Sequence, residues 1–109
     1  MDRIEQLKKA LEKDPNNPLG LYGLALELYK QGLYEDAIVY FKKYLSLYED
    51  QGAAYRTLAQ CYINIGDIEQ AIETYERGIE KARKYNHPTM VEEFKQEIER
   101  LKTMIWKKF

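Results

Sequence analysis

Cysteine occurs once in this chain, at Cys61, and histidine once, at His87. A single cysteine excludes an intrachain disulfide, and the pair supplies neither a zinc-ligand set nor the support a catalytic triad needs. No metal site, cofactor or catalytic constellation is expected. Charge of one sign is missing too: the formal net charge is −1, which argues against a general polyanion binder. The basic residues Lys95, Arg100, Lys102, Lys107 and Lys108 are the one argument for nucleic acid, and no nucleic-acid partner is expected. No apolar run approaches the roughly 18–20 residues of a membrane span, so no membrane role is expected. The opening MDRIEQLKKALEK lacks the apolar middle and cleavage site of a secretory signal, which predicts a cytoplasmic location. Proline is scarce, at three residues, and no segment alternates as a half-buried strand does.

What remains is rich in helix formers. Apolar residues at three- and four-residue steps predict six helices, with fold class all-α. The first runs from about Asp2 to Lys13, with Ile4, Leu7 and Leu11 on one face. DPNNP ends it, and Asn17-Pro18 reads as N-cap and first residue of the second, which runs to Gln31. Gly32 stops that helix in the left-handed conformation. The third begins near Tyr34. Asp50 is the expected cap of the fourth, which reaches Asn64 and is stopped by Gly66. Asp67 caps the fifth, expected to continue to about Lys84. A sixth runs from about Pro88 to Lys107, with Val91, Phe94, Ile98, Leu101 and Ile105 along one side.

The segment KQGLYEDAIVYF is echoed by NIGDIEQAIETY. The two glycines are 34 residues apart (66 − 32), and the same offset joins Leu24 to Leu58, Ala25 to Ala59, Ala37 to Ala71 and Phe41 to Tyr75. A fixed period in helix–turn–helix units indicates a repeat architecture. The first copy reads Leu21-x₂-Leu24-Ala25-x₂-Leu28…Ala37-x₃-Phe41, and the second Tyr55-x₂-Leu58-Ala59-x₂-Tyr62…Ala71-x₃-Tyr75. This pattern resembles that of the tetratricopeptide repeat family. The resemblance implies a short right-handed α-solenoid of helix-turn-helix repeats in a single domain spanning 1–109. Its parts are a half repeat (1–15), two repeats (18–51 and 52–85) and a C-terminal capping helix (88–109). Tyr44 and Gly78 stand where the family has a small residue late in the second helix of each repeat.

The resemblance further implies a concave groove lined by the first helices of the repeats. The residues turned towards it are Leu19, Tyr22, Leu26 and Tyr29 on one helix and Ala53, Arg56, Gln60 and Ile63 on the next. Tyr22 and Tyr29 lie off the Leu21–Leu24–Leu28 core face, and the expected function is non-enzymatic protein–protein interaction. Family members that hold acidic carboxyl tails use Lys and Asn on this face. Tyr22 and Leu26 stand there instead, so the expected partner is another protein or peptide with an apolar or aromatic segment or helix. The alternative is a self-associating scaffold, a homo-oligomer whose groove is covered by its own terminal helix or by a second copy. It has some weight because two repeats are fewer than the three a stable stack usually needs.

Overall fold

The computed structural model describes residues 2–106. The expected capping helix ends in 107–109, which lie outside the described residues, as do Met1 and the two basic residues Lys107 and Lys108. Among the described residues there are six α-helices and no strand. They are α1 (Arg3–Lys13), α2 (Pro18–Lys30), α3 (Tyr34–Leu47), α4 (Ala53–Asn64), α5 (Ile68–Lys84) and α6 (Pro88–Trp106). They group into two compact units, Met1–Glu49 and Asp50–Phe109.

Side-chain caps mark the starts of four of these helices. Asp2, Asn17 and Asp67 accept from the backbone N–H of Glu5, Gly20 and Gln70, relieving orphan donors at the starts of α1, α2 and α5. Asp50 acts from further away than expected. α4 starts at Ala53, and the Asp50 carboxylate accepts from Gly52 N–H at 2.8 Å and Ala54 N–H at 3.0 Å.

The stops share one geometry. Gly32 and Gly66 have φ of 78° and 83°. Gly32 N–H donates to Tyr29 O and Leu33 N–H to Leu28 O; Gly66 N–H donates to Ile63 O and Asp67 N–H to Tyr62 O. These are paired Schellman closures. A third one ends α5, where Asn86 takes φ 59° and His87 N–H reaches Ala82 O at 2.8 Å. Apart from the glycine and its chain neighbours, no atom lies within 4 Å of a Cβ built at Gly32 or Gly66. Replacing either by Ala therefore meets only the strain of the left-handed conformation, an expected loss of about 1 kcal/mol by urea unfolding. A neutral result at both would mean that these turns relax to another closure.

In the first unit α2 packs on α1 and α3. Leu21, Leu24, Ala25 and Leu28 of α2 meet Ala37 and Phe41 of α3 in a core where all six are buried. α1 seats Leu7 and Leu11 over Gly23 and Gly20 of α2, where added Cβ atoms would lie 3.4 and 2.8 Å from the leucine Cδ2 atoms. The Tyr48 hydroxyl donates to Asn16 O and ties the end of α3 to the DPNNP turn.

In the second unit α5 packs on α4 and α6. Ala59 and Ala71 are fully buried, as Ala25 and Ala37 are in the first. α6 buries Val91, Phe94, Ile98 and Leu101, and Ile105 is half-buried. α5 is three residues longer than α3 (17 against 14), so α6 follows with a shifted period. Val91, Phe94 and Ile98 correspond to Tyr55, Leu58 and Tyr62 at an offset of 36 instead of 34.

Candidate functional site

On α2 the strip Leu19, Tyr22, Leu26 and Tyr29 runs along one side of the helix. Leu19 is 83 % exposed, and the other three are half-buried. Tyr22 stands off the leucine face as expected, but its ring is not detached from the core. It meets buried Phe41 edge-on at 6.0 Å and Tyr44 at 5.2 Å, and Tyr44 continues to Tyr48 at 5.7 Å. Tyr29 lies 5.9 Å from Tyr34 in a T-shaped contact. The strip is thus rigid: α3 holds both tyrosine rings through aromatic edges, and such rings bring large contact area with little rotamer entropy left to lose.

Of the expected residues on α4, Arg56, Gln60 and Ile63 are half-buried. Arg56 meets a carboxylate of this chain. Its Nε donates to Glu93 Oε2 at 2.6 Å and its Nη2 to Glu93 Oε1 at 2.8 Å, a bidentate pair between α4 and α6. The guanidinium also lies over the Phe94 ring, 5.5 Å from the centroid. Nearby, Arg100 holds Glu97 through its Nε and Nη2. Both carboxylates act on Tyr75, which burial first, then Glu97 and Glu93, push up to about 12 against the opposing pull of Arg100 and Arg56. The phenol is therefore neutral at physiological pH and serves as packing, 5.1 Å from Phe94. Nothing in the sequence singled out the Arg56–Glu93 pair.

Among the described residues no cluster has the arrangement of a catalytic centre. Cys61 is buried, and desolvation pushes its thiol up to about 11, so it carries little of the thiolate a nucleophile needs. His87 sits at the start of α6 and shares a 2.7 Å hydrogen bond between Nε2 and Gln51 Oε1. Among the described residues no group of three or more His, Cys, Asp or Glu is placed to hold a metal ion, and no helix is long and apolar enough to cross a membrane. An open cleft of about 390 Å³ in the first unit is lined by Lys8, Leu11, Glu12, Pro15, Leu21, Tyr40 and Lys43, and pairs no nucleophile with a base.

Comparison with known proteins places this geometry. Two tetratricopeptide repeat profiles match, one over residues 28–88, more than half of the chain, and one over residues 7–39. No curated protein matches the sequence. The solution structure of protein BPP2914 from Bordetella parapertussis is similar in fold, with a TM-score of 0.78 at 19% identity over 95% of this chain and 90% of that one. The chain belongs to the tetratricopeptide repeat family, whose domains generally serve as protein–protein interaction modules and are usually without catalytic activity.

Proposed function

We propose that this chain binds an apolar or aromatic segment of another protein, helical or extended, on the strip Leu19, Tyr22, Leu26 and Tyr29 of α2. The observation that carries this reading is a row of large apolar side chains along one helix face, ending in a leucine 83 % exposed, with two tyrosines braced by α3. Rigid aromatic rings beside an exposed aliphatic anchor are the chemistry of interface hot spots. On α4, in the second unit, Arg56, Gln60 and Ile63 are candidate contacts in their own right. For Arg56 to take a partner's carboxylate, Glu93 must first release it, and giving up a bidentate charged pair makes an acidic partner costly.

Selection of a displayed peptide library on the full chain tests this. Enrichment of peptides with aromatic and aliphatic anchors is expected. Leu19→Asp should weaken the selected peptides by about 1–3 kcal/mol with no change in melting, because the side chain is exposed. Tyr22→Ala should weaken binding by a similar amount. It should also cost about 1 kcal/mol of fold stability, since the ring loses Phe41 and Tyr44. Selected peptides that are acidic, or whose binding ignores both substitutions, overturn the assignment.

A further inference from the structure

We propose that the outer flank of α6 is a self-complementary surface on which a second copy of this chain packs antiparallel, about a two-fold axis beside Glu97. The flank is the row Pro88, Glu92, Lys95, Glu99, Lys102 and Trp106, at steps of three and four residues, and all six are exposed. Trp106 is 77 % exposed, an unusual state for the chain's one tryptophan. The row lies apart from the Val91–Phe94–Ile98–Leu101 face that packs on α5, and from the side carrying Glu93, which holds Arg56.

The charges fix both orientation and register. With the axis beside Glu97, Glu92 lies opposite the second copy's Lys102, and Lys95 opposite its Glu99. Symmetry repeats both pairs, giving four cross-helix ion pairs. The same register brings Trp106 to the second copy's Pro88, so the indole covers a proline ring at each end. At 1.5 Å per residue the row from Pro88 to Trp106 spans about 27 Å, long enough for all six contacts. A parallel pairing in register opposes each charge to its own kind. Shifting the antiparallel register by one helical turn keeps neither kind of ion pair: in one direction Glu92 meets the second copy's Glu99, and in the other Lys95 meets its Lys102. Two-fold pairing with the same patch on both chains is the commonest symmetry of soluble oligomers.

The row is also unsuited to another helix of the chain's own repeat type. Aligned on the buried positions, Lys95 falls where Ala25 and Ala59 are fully buried in the earlier repeats. A lysine there denies the close approach that those alanines permit and needs a facing carboxylate, which Glu99 of a second copy supplies. Within one chain Lys95 already reaches Glu92 at 3.5 Å, but both side chains are about half exposed or more (48% and 66%), so that pair holds neither charge strongly.

One helix pair makes a small interface, so a weak dimer is expected, visible by sedimentation equilibrium of the full chain between about 10 µM and 1 mM. Lys95→Glu and Glu99→Lys should each weaken dimerisation at least about tenfold, because each opposes like charges across the axis. The double variant restores both ion pairs and should dimerise like the wild type. Trp106→Ala should weaken the dimer as well. All three positions are exposed, so thermal melts should stay unchanged. A chain monomeric at the highest concentration overturns the proposal. So does a dimer indifferent to single reversal, or a double variant that stays monomeric. A dimer lost on Leu19→Asp instead assigns self-association to the α2 strip and equally overturns it.

Discussion

Phe94→Ala is expected to destabilise the second unit by about 3–5 kcal/mol, read as a shift of the urea midpoint by circular dichroism. The ring is fully buried. It is held on three sides: by Tyr75 at 5.1 Å, by the Arg56 guanidinium at 5.5 Å, and by the backbone of α5 at Gly78. Truncation therefore removes transfer energy and also leaves a hole that cannot collapse. Gly78 has no side chain to swing in, and the Tyr75 ring is itself confined. The Arg56–Glu93 pair would lose the ring beneath it while keeping both charges. Phe94→Leu, which retains most of the volume, should cost about half as much or less. A loss below about 1 kcal/mol for the alanine would mean that α6 does not dock through this residue.

The features most legible in the sequence are those where one residue type has a single physical use. Gly32 and Gly66 announce themselves because left-handed stops favour glycine, and the 34-residue spacing joins them; both have positive φ. Ala25, Ala37, Ala59 and Ala71 are small for the close approach of paired helices, and all four are fully buried. The third stop was harder to see. Asn86 occupies the left-handed position that glycine holds elsewhere, and the longer α5 moves it out of the repeat period. Gly20 and Gly23, the seats for α1, carry no such signal, because what a missing side chain admits depends on how α1 crosses α2.

The candidate site was legible in part, for a related reason. Periodicity assigns a residue to a face, so Tyr22 was correctly separated from the leucine row, but it says nothing of what lies across from that face. The Phe41 and Tyr44 edges against Tyr22 depend on how α3 crosses α2. The Arg56–Glu93 pair joins residues 37 apart in the chain. Nothing local distinguishes Glu93 from Glu92 beside it, which faces solvent. A shift of one position on a helix turns a side chain by about 100°, and the altered offset of α6 made that assignment depend on an insertion whose length only the fold reveals.

Gly78→Leu should destabilise the second unit by about 3 kcal/mol or more, through overpacking at the point where three helices meet. A Cβ at this position would lie 2.7 Å from Phe94 Cε2, 3.0 Å from its Cδ2 and 3.0 Å from Tyr55 Cβ. Tyr55 Cβ cannot rotate away because it is fixed to the α4 backbone, and the Phe94 ring is stopped by Tyr75. Gly78→Ala adds one carbon and gains about 1 kcal/mol of helix propensity, so its net loss should be small, near 1 kcal/mol. Asparagine separates this glycine from the stops. Gly32→Asn should be better tolerated than Gly32→Ala, since asparagine accepts positive φ, whereas Gly78→Asn should be worse than Gly78→Ala. The decisive measurement is the double variant Gly78→Leu with Phe94→Ala. If the leucine and the phenylalanine compete for one volume, removing the ring makes room for the new side chain. The double variant should then be more stable than the two single losses added together, by at least about 1 kcal/mol. Additive losses would place the two side chains in separate volumes and break the account of how α6 is seated on α5.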